Sequence, residues 1–175
     1  MDDTLLELIL PWNRWVNDIE GKLKEADEKI LKDYQSRKIS LPILHNSYVR
    51  KDPQLKTLLI ENAIKFETEN LKEIRINHEL VDFAKSLKGY KLFIWTGNTR
   101  KTAQKVLKKV GIFKKFQKII TCEDVILVKP EPDGFNAIWD GKTPKGNFLF
   151  ICNSQEDKQA AKRAGIDFYQ IDYFK

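Results

Sequence analysis

The stretch NFLFICNSQED, residues 147–157, decides the fold of this chain. Its apolar residues, Phe148 to Cys152, lack helical spacing and predict a strand buried on both faces of a parallel sheet. A good helix former follows, and Gly165 is placed to end that helix. Residues 167–171 predict a second strand. The stretch therefore opens a β-α-β unit, and its polar residues lie at the carboxyl edge of the first strand, where open α/β sheets bind ligands.

Two other predicted strands end in polar residues in the same way. Residues 91–95 form a short apolar run that leads into Thr96, Gly97 and Asn98, and residues 118–121 lead through a loop to Lys129. Each segment alone could be an ordinary turn, loop or helix start. Because the carboxyl ends of parallel strands meet at one edge, we expect a hydroxyl, a lysine and a carboxylate/amide pair to share one rim.

The composition is that of a soluble globular protein. The 175 residues are 42% hydrophobic and 32% charged, with a net charge of +6. No apolar run approaches the roughly 20 residues that a membrane span needs. The acidic N-terminal residues lack the basic flank of a secretory signal, so we expect a cytoplasmic protein. Cys122 and Cys152 have no metal-binding spacing and predict small buried or half-buried residues rather than a disulfide or a nucleophile.

Helical periodicity dominates the first half of the chain. The spacing of apolar residues predicts a helix over 11–38 and another that Pro53 opens. Residues 40–46 contain Pro42 and predict a connection between them. Asn77 is placed to cap a further helix.

The most basic stretch is residues 100–118. Its cations alternate with apolar residues and predict the solvated face of an amphipathic helix, although a phosphate-rich or nucleic-acid partner is a second interpretation. No nucleic-acid-binding motif accompanies them, so we do not expect a nucleic-acid partner. His45 and His78 have no second ligand at metal spacing, and we expect structural or surface roles for both.

In order and spacing, the residues at the three strand ends resemble the second, third and fourth motifs of the haloacid dehalogenase (HAD) superfamily of phosphohydrolases. The matches are Thr96 after an apolar strand, Lys129 in KPEPDGF, and residues 153–157 where the family usually has Asp-Ser-x-x-Asp. Residues 1–5, MDDTL, look like the tail of the first motif, Asp-x-Asp-x-Thr, with Asp2 as the second aspartate. The alternative is that this acidic pair only favours a helix start. The similarity is to the phosphoglycolate-phosphatase-like branch.

The resemblance implies an α/β fold. A doubly wound, Rossmann-like, mainly parallel sheet would be formed by residues 1–10 and 76–175, with a helical cap of residues 11–75 inserted after the first motif. Such a cap excludes water and selects the substrate. The family's first central strand, with the nucleophilic aspartate that ends it, would precede Met1. We therefore expect either that the protein starts upstream of Met1 or that another segment or a partner chain supplies a strand.

The resemblance also implies magnesium-dependent hydrolysis of a small phosphorylated metabolite, a phosphate monoester, through an aspartyl-phosphate. On the matching positions, Asp2 would be the general acid/base and Lys129 would neutralise charge between nucleophile and phosphate. Thr96, with the amides of Gly97 and Asn98, would hold the phosphoryl oxygens. Magnesium prefers oxygen ligands. The ligands implied for it are Asp2, Asn153 and Asp157.

Two departures from the family pattern support an alternative, a catalytically inactive binding or regulatory protein. The nucleophile is not among the printed residues, and Asn153 is an amide that brings no charge to the metal. Against this, Thr96, Lys129 and Asp157 are all present. A receiver-type signalling domain would combine similar residues, but the long helical region after Asp3 argues against it. The substrate and the oligomeric state are not encoded in any motif.

Overall fold

The computed structural model describes residues 1–174, in which strands and helices alternate after an initial helical region. The strands are β1 (Leu6–Ile9), β2 (Glu73–Ile76), β3 (Leu92–Trp95), β4 (Phe116–Ile120), β5 (Leu149–Cys152) and β6 (Asp167–Gln170). The helices are α1 (Glu20–Gln35), α2 (Leu41–Lys51), α3 (Leu55–Asn70), α4 (His78–Ser86), α5 (Arg100–Lys109), α6 (Asp133–Ile138) and α7 (Gln155–Ala164).

The strands pair in three two-stranded sheets. β3 and β4 are parallel, with Trp95 opposite Ile120, and β5 and β6 are parallel, with Cys152 opposite Gln170. β1 and β2 form an antiparallel ribbon. The mainly parallel α/β architecture predicted from the sequence is confirmed. Among residues 1–174, however, no strand is hydrogen-bonded between β3 and β5, so the parallel strands form two separate pairs rather than one continuous sheet.

Strand β5 is less buried than its apolar run predicts. Leu149 is 63% exposed, whereas Cys152 at the other end of the strand is fully buried. The prediction of a strand covered on both faces is therefore wrong for the amino end of β5. An apolar run indicates burial only where other elements pack over both faces of the strand, and such packing is incomplete over the Leu149 side chain.

Helices α1, α2 and α3 form a helical block, residues 20–70, with its own apolar core. Leu23 of α1, Leu44 and Tyr48 of α2 and Leu59 of α3 are fully buried there. The Tyr48 hydroxyl donates to the carbonyl of Leu23 at 2.9 Å, which satisfies its polar atom inside this core. The block is thus a second centre of packing beside the strands.

Two helix boundaries in this block differ from the prediction. α1 begins at Glu20 rather than at Pro11, because the chain first makes short 3₁₀ turns at Trp12–Arg14 and Asn17–Ile19. Helix α2 occupies most of the segment predicted as a connection, and that prediction is wrong. Pro42 lies in the first turn of α2, where the N–H that proline lacks has no helical partner in any case.

Other sequence signals are confirmed. The Asn77 side chain accepts a hydrogen bond from the Leu80 amide and caps α4. Gly165 ends α7 with a positive φ of 74°, a conformation that glycine adopts without strain. Helix α5 buries Ala103, Val106 and Leu107, and its lysines lie on the exposed face.

The antiparallel ribbon was not predicted. The chain leaves the α/β part through β1, passes through the helical block and returns through β2, so both connections run side by side. β2 alternates between charged and apolar residues, the pattern of a half-exposed strand, whereas β1 alternates only as far as Leu8. Arg75 pairs with Glu7 across the ribbon at 3.1 Å. The division into a core and a cap stays a prediction, and the ribbon is the element through which the two would be joined.

Cys122 and Cys152 are free and buried, as predicted. None of the helices in residues 1–174 combines the length and the apolar character that crossing a bilayer requires.

Candidate functional site

The structure gathers three of the predicted residues at one rim, where β3 and β5 end. The Lys129 ammonium forms an ion pair with the Asp157 carboxylate and donates to the carbonyl oxygen of Trp95 at 3.3 Å. Thr96 is the residue that follows Trp95 along the chain. Residues distant in sequence thus surround one spot, because each follows or faces the carboxyl end of a parallel strand.

Aromatic rings support the Lys129 side chain. Its ammonium lies 5.8 Å from the Trp95 ring centre and 5.5 Å from that of Phe150, and these two rings stack at 5.1 Å. A ring face attracts a cation, and the rings also shield the ion pair from water. Only 13% of the Lys129 side chain and 7% of the Asp157 side chain are exposed. The pair is therefore a buried one, whose two charges depend on each other.

The start of helix α7 fixes Asp157. The Ser154 hydroxyl accepts from the Asp157 amide at 3.0 Å, and the Asp157 carboxylate lies 3.4 Å from the Ser154 and Asn153 amides, forming a capping box. Burial alone would raise the pKa of Asp157, but the Lys129 ammonium, the N-terminal ammonium and the Asn153 amide together outweigh that effect, and the pKa is lowered to about 2. Asp157 is therefore an anion at neutral pH.

Hydrogen bonds through Thr4 connect Asp2 to the end of β5. The Thr4 hydroxyl lies 3.2 Å from the side-chain oxygen of Asn153 and 3.3 Å from the carbonyl oxygen of Asp2. The Asp2 carboxyl accepts a hydrogen bond from the Leu8 amide at 2.7 Å. Thr4 was not among the predicted site residues, although it occupies the threonine position of the first motif.

Asp2 differs from Asp157 in its electrostatic surroundings. Burial raises the pKa of Asp2 to about 7, although the hydrogen bond from the Leu8 amide acts in the opposite direction. The neighbouring Asp3 carboxylate raises it further. One carboxyl of the site is thus held ionised while another carries a proton over much of the neutral range, the arrangement that general acid catalysis requires.

The loop after β3 is compact and buried. The Thr96 hydroxyl donates to the Asn98 side-chain oxygen at 2.7 Å, and the Asn98 amide N–H donates back to the Thr96 hydroxyl oxygen at 3.2 Å. The Asn98 side chain also lies close enough to the Asp2 carboxyl to lower its pKa. At Gly97 an added Cβ would meet no atom within 4 Å, so space lies open in front of this peptide. The loop therefore offers a hydroxyl and backbone amides beside open space.

The oxygen atoms at this rim are of the kind that a hard cation prefers. The Asp2 carbonyl oxygen and the Asn153 side-chain oxygen both lie within hydrogen-bond distance of the Thr4 hydroxyl. The Asp157 carboxylate contacts the backbone N–H of Asn153. Within residues 1–174 no three side chains of His, Cys, Asp or Glu converge. These donors fit magnesium, which commonly takes one or two carboxylates and keeps several waters.

Two residues of the helical block reach the site region, and the sequence did not indicate them. Asn46 of α2 hydrogen-bonds the backbone of Val128, the residue before Lys129. Glu67 of α3 accepts hydrogen bonds from the loop at Asn98. Both side chains are buried, and their partners lie outside the helical block, so their role depends on tertiary packing.

Comparisons with known proteins show which family the chain matches. A family model described as haloacid dehalogenase-like hydrolase matches residues 1–171. Over 175 residues the chain is 25% identical to pyrophosphatase PpaX from Halalkalibacterium halodurans, covering 89% of this chain and 81% of that protein.

Solved structures show the same fold. The HAD phosphatase from Thermococcus onnurineus is similar with a TM-score of 0.59 and 24% identity, covering 98% of this chain and 83% of that one. The HAD-hydrolase YfnB from Bacillus subtilis, whose structure was determined with bound magnesium, is similar with a TM-score of 0.57 and 22% identity, covering 91% of this chain and 73% of that one.

Proposed function

The chain belongs to the haloacid dehalogenase-like hydrolase family, and from this we propose that it hydrolyses a small phosphate monoester in a magnesium-dependent reaction. The observation that carries the proposal is the buried Lys129–Asp157 pair beside the end of β3, linked through Asn153 and Thr4 to Asp2. Phosphoryl transfer needs mainly positioning and charge neutralisation, which such a cluster supplies.

In this proposal the loop after β3 binds the phosphoryl group. The Thr96 hydroxyl and the amides of Gly97 and Asn98 donate to its oxygens, and the Lys129 ammonium neutralises its charge. The open space in front of Gly97 supports this assignment. Thr96 and Asn98 would exchange part of their mutual hydrogen bonding for contacts to the phosphate.

Asp2 is the proton donor in this scheme. A carboxyl whose pKa is raised to about 7 by burial is still largely protonated just below neutrality and can give its proton to the leaving oxygen. The aspartyl-phosphate route of the family calls in addition for a carboxylate at the position before Met1.

Magnesium would be held by the Asp2 carbonyl, Asn153 and Asp157, and when bound it supplies positive charge to the phosphoryl oxygens. The positive charge of Lys129 partly cancels the negative charge of Asp157. The site would therefore attract the ion less strongly than a site with two unpaired carboxylates. We therefore expect magnesium to bind weakly and its requirement to be met at millimolar concentration. The helical block, as a cap over this rim, would exclude water and select the substrate.

The test is phosphate release from a panel of phosphate monoesters and pyrophosphate, with magnesium and with EDTA. The protein is expressed from its own gene and its first residue is identified by mass spectrometry. We expect magnesium-dependent turnover that falls at least 100-fold in Lys129→Ala and is unchanged in Lys142→Ala, an exposed lysine on a loop. No release from any member of the panel contradicts the proposed hydrolysis.

A further inference from the structure

Glu67 is a buried carboxylate with a full set of partners outside its own helix. It lies near the end of α3 and is 2% exposed. Its carboxylate accepts from the Thr99 amide at 3.1 Å and from the Thr99 hydroxyl at 2.5 Å, and it lies 3.5 Å from the Asn98 side-chain nitrogen. All these donors belong to the loop that follows β3.

A buried carboxylate is costly unless donors replace the water it loses. Here the replacement comes from the first residues of another helix. Thr99 is the N-cap of α5, so Glu67 lies at the positive end of that helix, where an anion is favoured. Burial raises the pKa of Glu67, and the hydrogen bonds from Thr99 lower it. Glu67 and the start of α5 therefore depend on each other.

The contacts of Glu67 continue into the candidate site. Asn98, which Glu67 contacts, exchanges two hydrogen bonds with Thr96, and its side chain lies close enough to Asp2 to lower the pKa of that carboxyl. Glu67 is therefore separated by one residue, Asn98, from both the hydroxyl and the acid of the site. Since Glu67 belongs to the helical block, these contacts also join the block to the phosphate loop, residues 96–99.

We propose that Glu67 is a positioning residue that fixes the phosphate loop, and that docking of helix α3 is thereby required for a competent phosphate site. Glu67 touches no reacting atom in this scheme and acts through Asn98 and Thr99. The inference rests on the proposed function for its kinetic consequence. The mechanical part, that Glu67 orders a loop able to bind phosphate, can be measured without turnover.

A buried residue on the same helix provides the matched control. Asn62 of α3 is 7% exposed, and its side chain donates to the carbonyl of Trp15 at 2.7 Å, away from the phosphate loop. Asn62→Ala should destabilise the protein by loss of a buried hydrogen bond without disturbing the loop. Glu69→Gln, on the exposed face of α3, controls for the change of charge.

The experiment compares Glu67→Ala, Glu67→Gln, Asn62→Ala and Glu69→Gln in three measurements on the full chain. These are kcat and KM on the best ester, the Kd for inorganic phosphate with magnesium by calorimetry, and the thermal unfolding midpoint. We expect Glu67→Ala to lose at least tenfold in kcat and at least tenfold in phosphate affinity. Glu67→Gln keeps an oxygen that can accept from the Thr99 amide and should recover most of both. Asn62→Ala should lower the midpoint while its kcat and Kd stay within twofold.

The outcomes separate the two proposals. If the wild type turns over and Glu67→Ala behaves like Asn62→Ala, the positioning role is wrong and the hydrolase proposal stands. If the wild type does not turn over but Glu67→Ala still weakens phosphate binding at least tenfold relative to Asn62→Ala, the positioning role stands and the hydrolase proposal is wrong. If the wild type neither turns over nor binds phosphate, both are wrong.

Discussion

Asn46 and Val128 hydrogen-bond each other in both directions. The Asn46 side-chain nitrogen donates to the Val128 carbonyl at 2.8 Å, and the Val128 amide donates to the Asn46 side-chain oxygen at 2.9 Å. The Asn46 side chain thus makes the two hydrogen bonds to the Val128 backbone that a neighbouring strand would make in a sheet. Because Val128 precedes Lys129, helix α2 helps to fix the backbone from which the site lysine extends.

Asn46→Ala should destabilise the protein by about 2 kcal/mol, because it leaves the buried Val128 amide without a partner and the Val128 carbonyl with the Glu131 amide alone. Urea unfolding followed by circular dichroism measures this as a lower midpoint with an unchanged m-value. Asn136→Ala, at an exposed position in α6, should stay within about 0.5 kcal/mol of the wild type. Equal midpoints for the two variants would contradict the role given to Asn46.

Gly134→Ala should also be destabilising, by about 2 kcal/mol, through overpacking. A Cβ at this position would lie 2.1 Å from the indole nitrogen of Trp95, so the ring that supports Lys129 has to move. Gly146→Ala is the matched substitution, since a Cβ there meets no atom within 4 Å. Urea midpoints and tryptophan emission of both variants test this. A Gly134→Ala protein as stable as Gly146→Ala would show that Trp95 relaxes freely.

Asp157 should give the folded state a specific acid sensitivity. Burial raises its pKa, but the Lys129 ammonium, the N-terminal ammonium and the Asn153 amide together lower it to about 2 in the fold from an ordinary 3.8. The folded state therefore binds this proton less readily than the unfolded chain. The resulting stabilisation, about 2 kcal/mol, is complete above pH 4 and is lost as the pH falls towards 2.

Urea midpoints between pH 2 and pH 6 measure this dependence. Asp157→Asn should be less stable at pH 6, because Lys129 is left buried without its partner, and should lose less stability on acidification than the wild type. Asp167→Asn, on the exposed edge of β6, should follow the wild-type curve. An Asp157→Asn curve parallel to that of the wild type contradicts the assignment.

The two cysteines should be unreactive in the native protein. Burial raises the pKa of the Cys122 thiol to about 12 and that of the Cys152 thiol to about 11. The thiolate is the reactive form, so neither residue should react with Ellman's reagent at pH 8. Addition of guanidinium chloride should release two thiols per chain. Rapid labelling of the native protein would show that one of the two side chains is accessible.

The site was predictable where its residues follow apolar strands. Thr96 and Asn153 come directly after β3 and β5, and an apolar run ending in polar residues is a local signal that survives without tertiary information. Lys129 lies on a loop, yet its position between two such strands was enough to place it near the same edge.

The contributions of the helical block were not predictable in this way. Glu67 is one of several glutamates in α3, and only packing against Thr99 distinguishes it from exposed Glu69. Asn46 lies in the segment that was predicted as a connection because it contains Pro42. Proline disrupts the interior of a helix but is tolerated in its first turn, where Pro42 lies. The ribbon was not predicted because its strands, Leu6–Ile9 and Glu73–Ile76, have only four residues each. More buried and less buried positions nevertheless alternate along both strands.

The ribbon gives the molecule a modular plan. Ile9 and Glu73 face each other where the chain enters and leaves the helical block, so a short hairpin joining them could replace the whole insert without altering the register of the parallel strands. Evolution could exchange one insert for another by the same route and so change which molecules reach the rim. A short hairpin would keep the strands but lose the contacts to Thr99 and Val128, so an insert that keeps the rim ordered has to carry its own acceptor for Thr99 and its own partner for Val128.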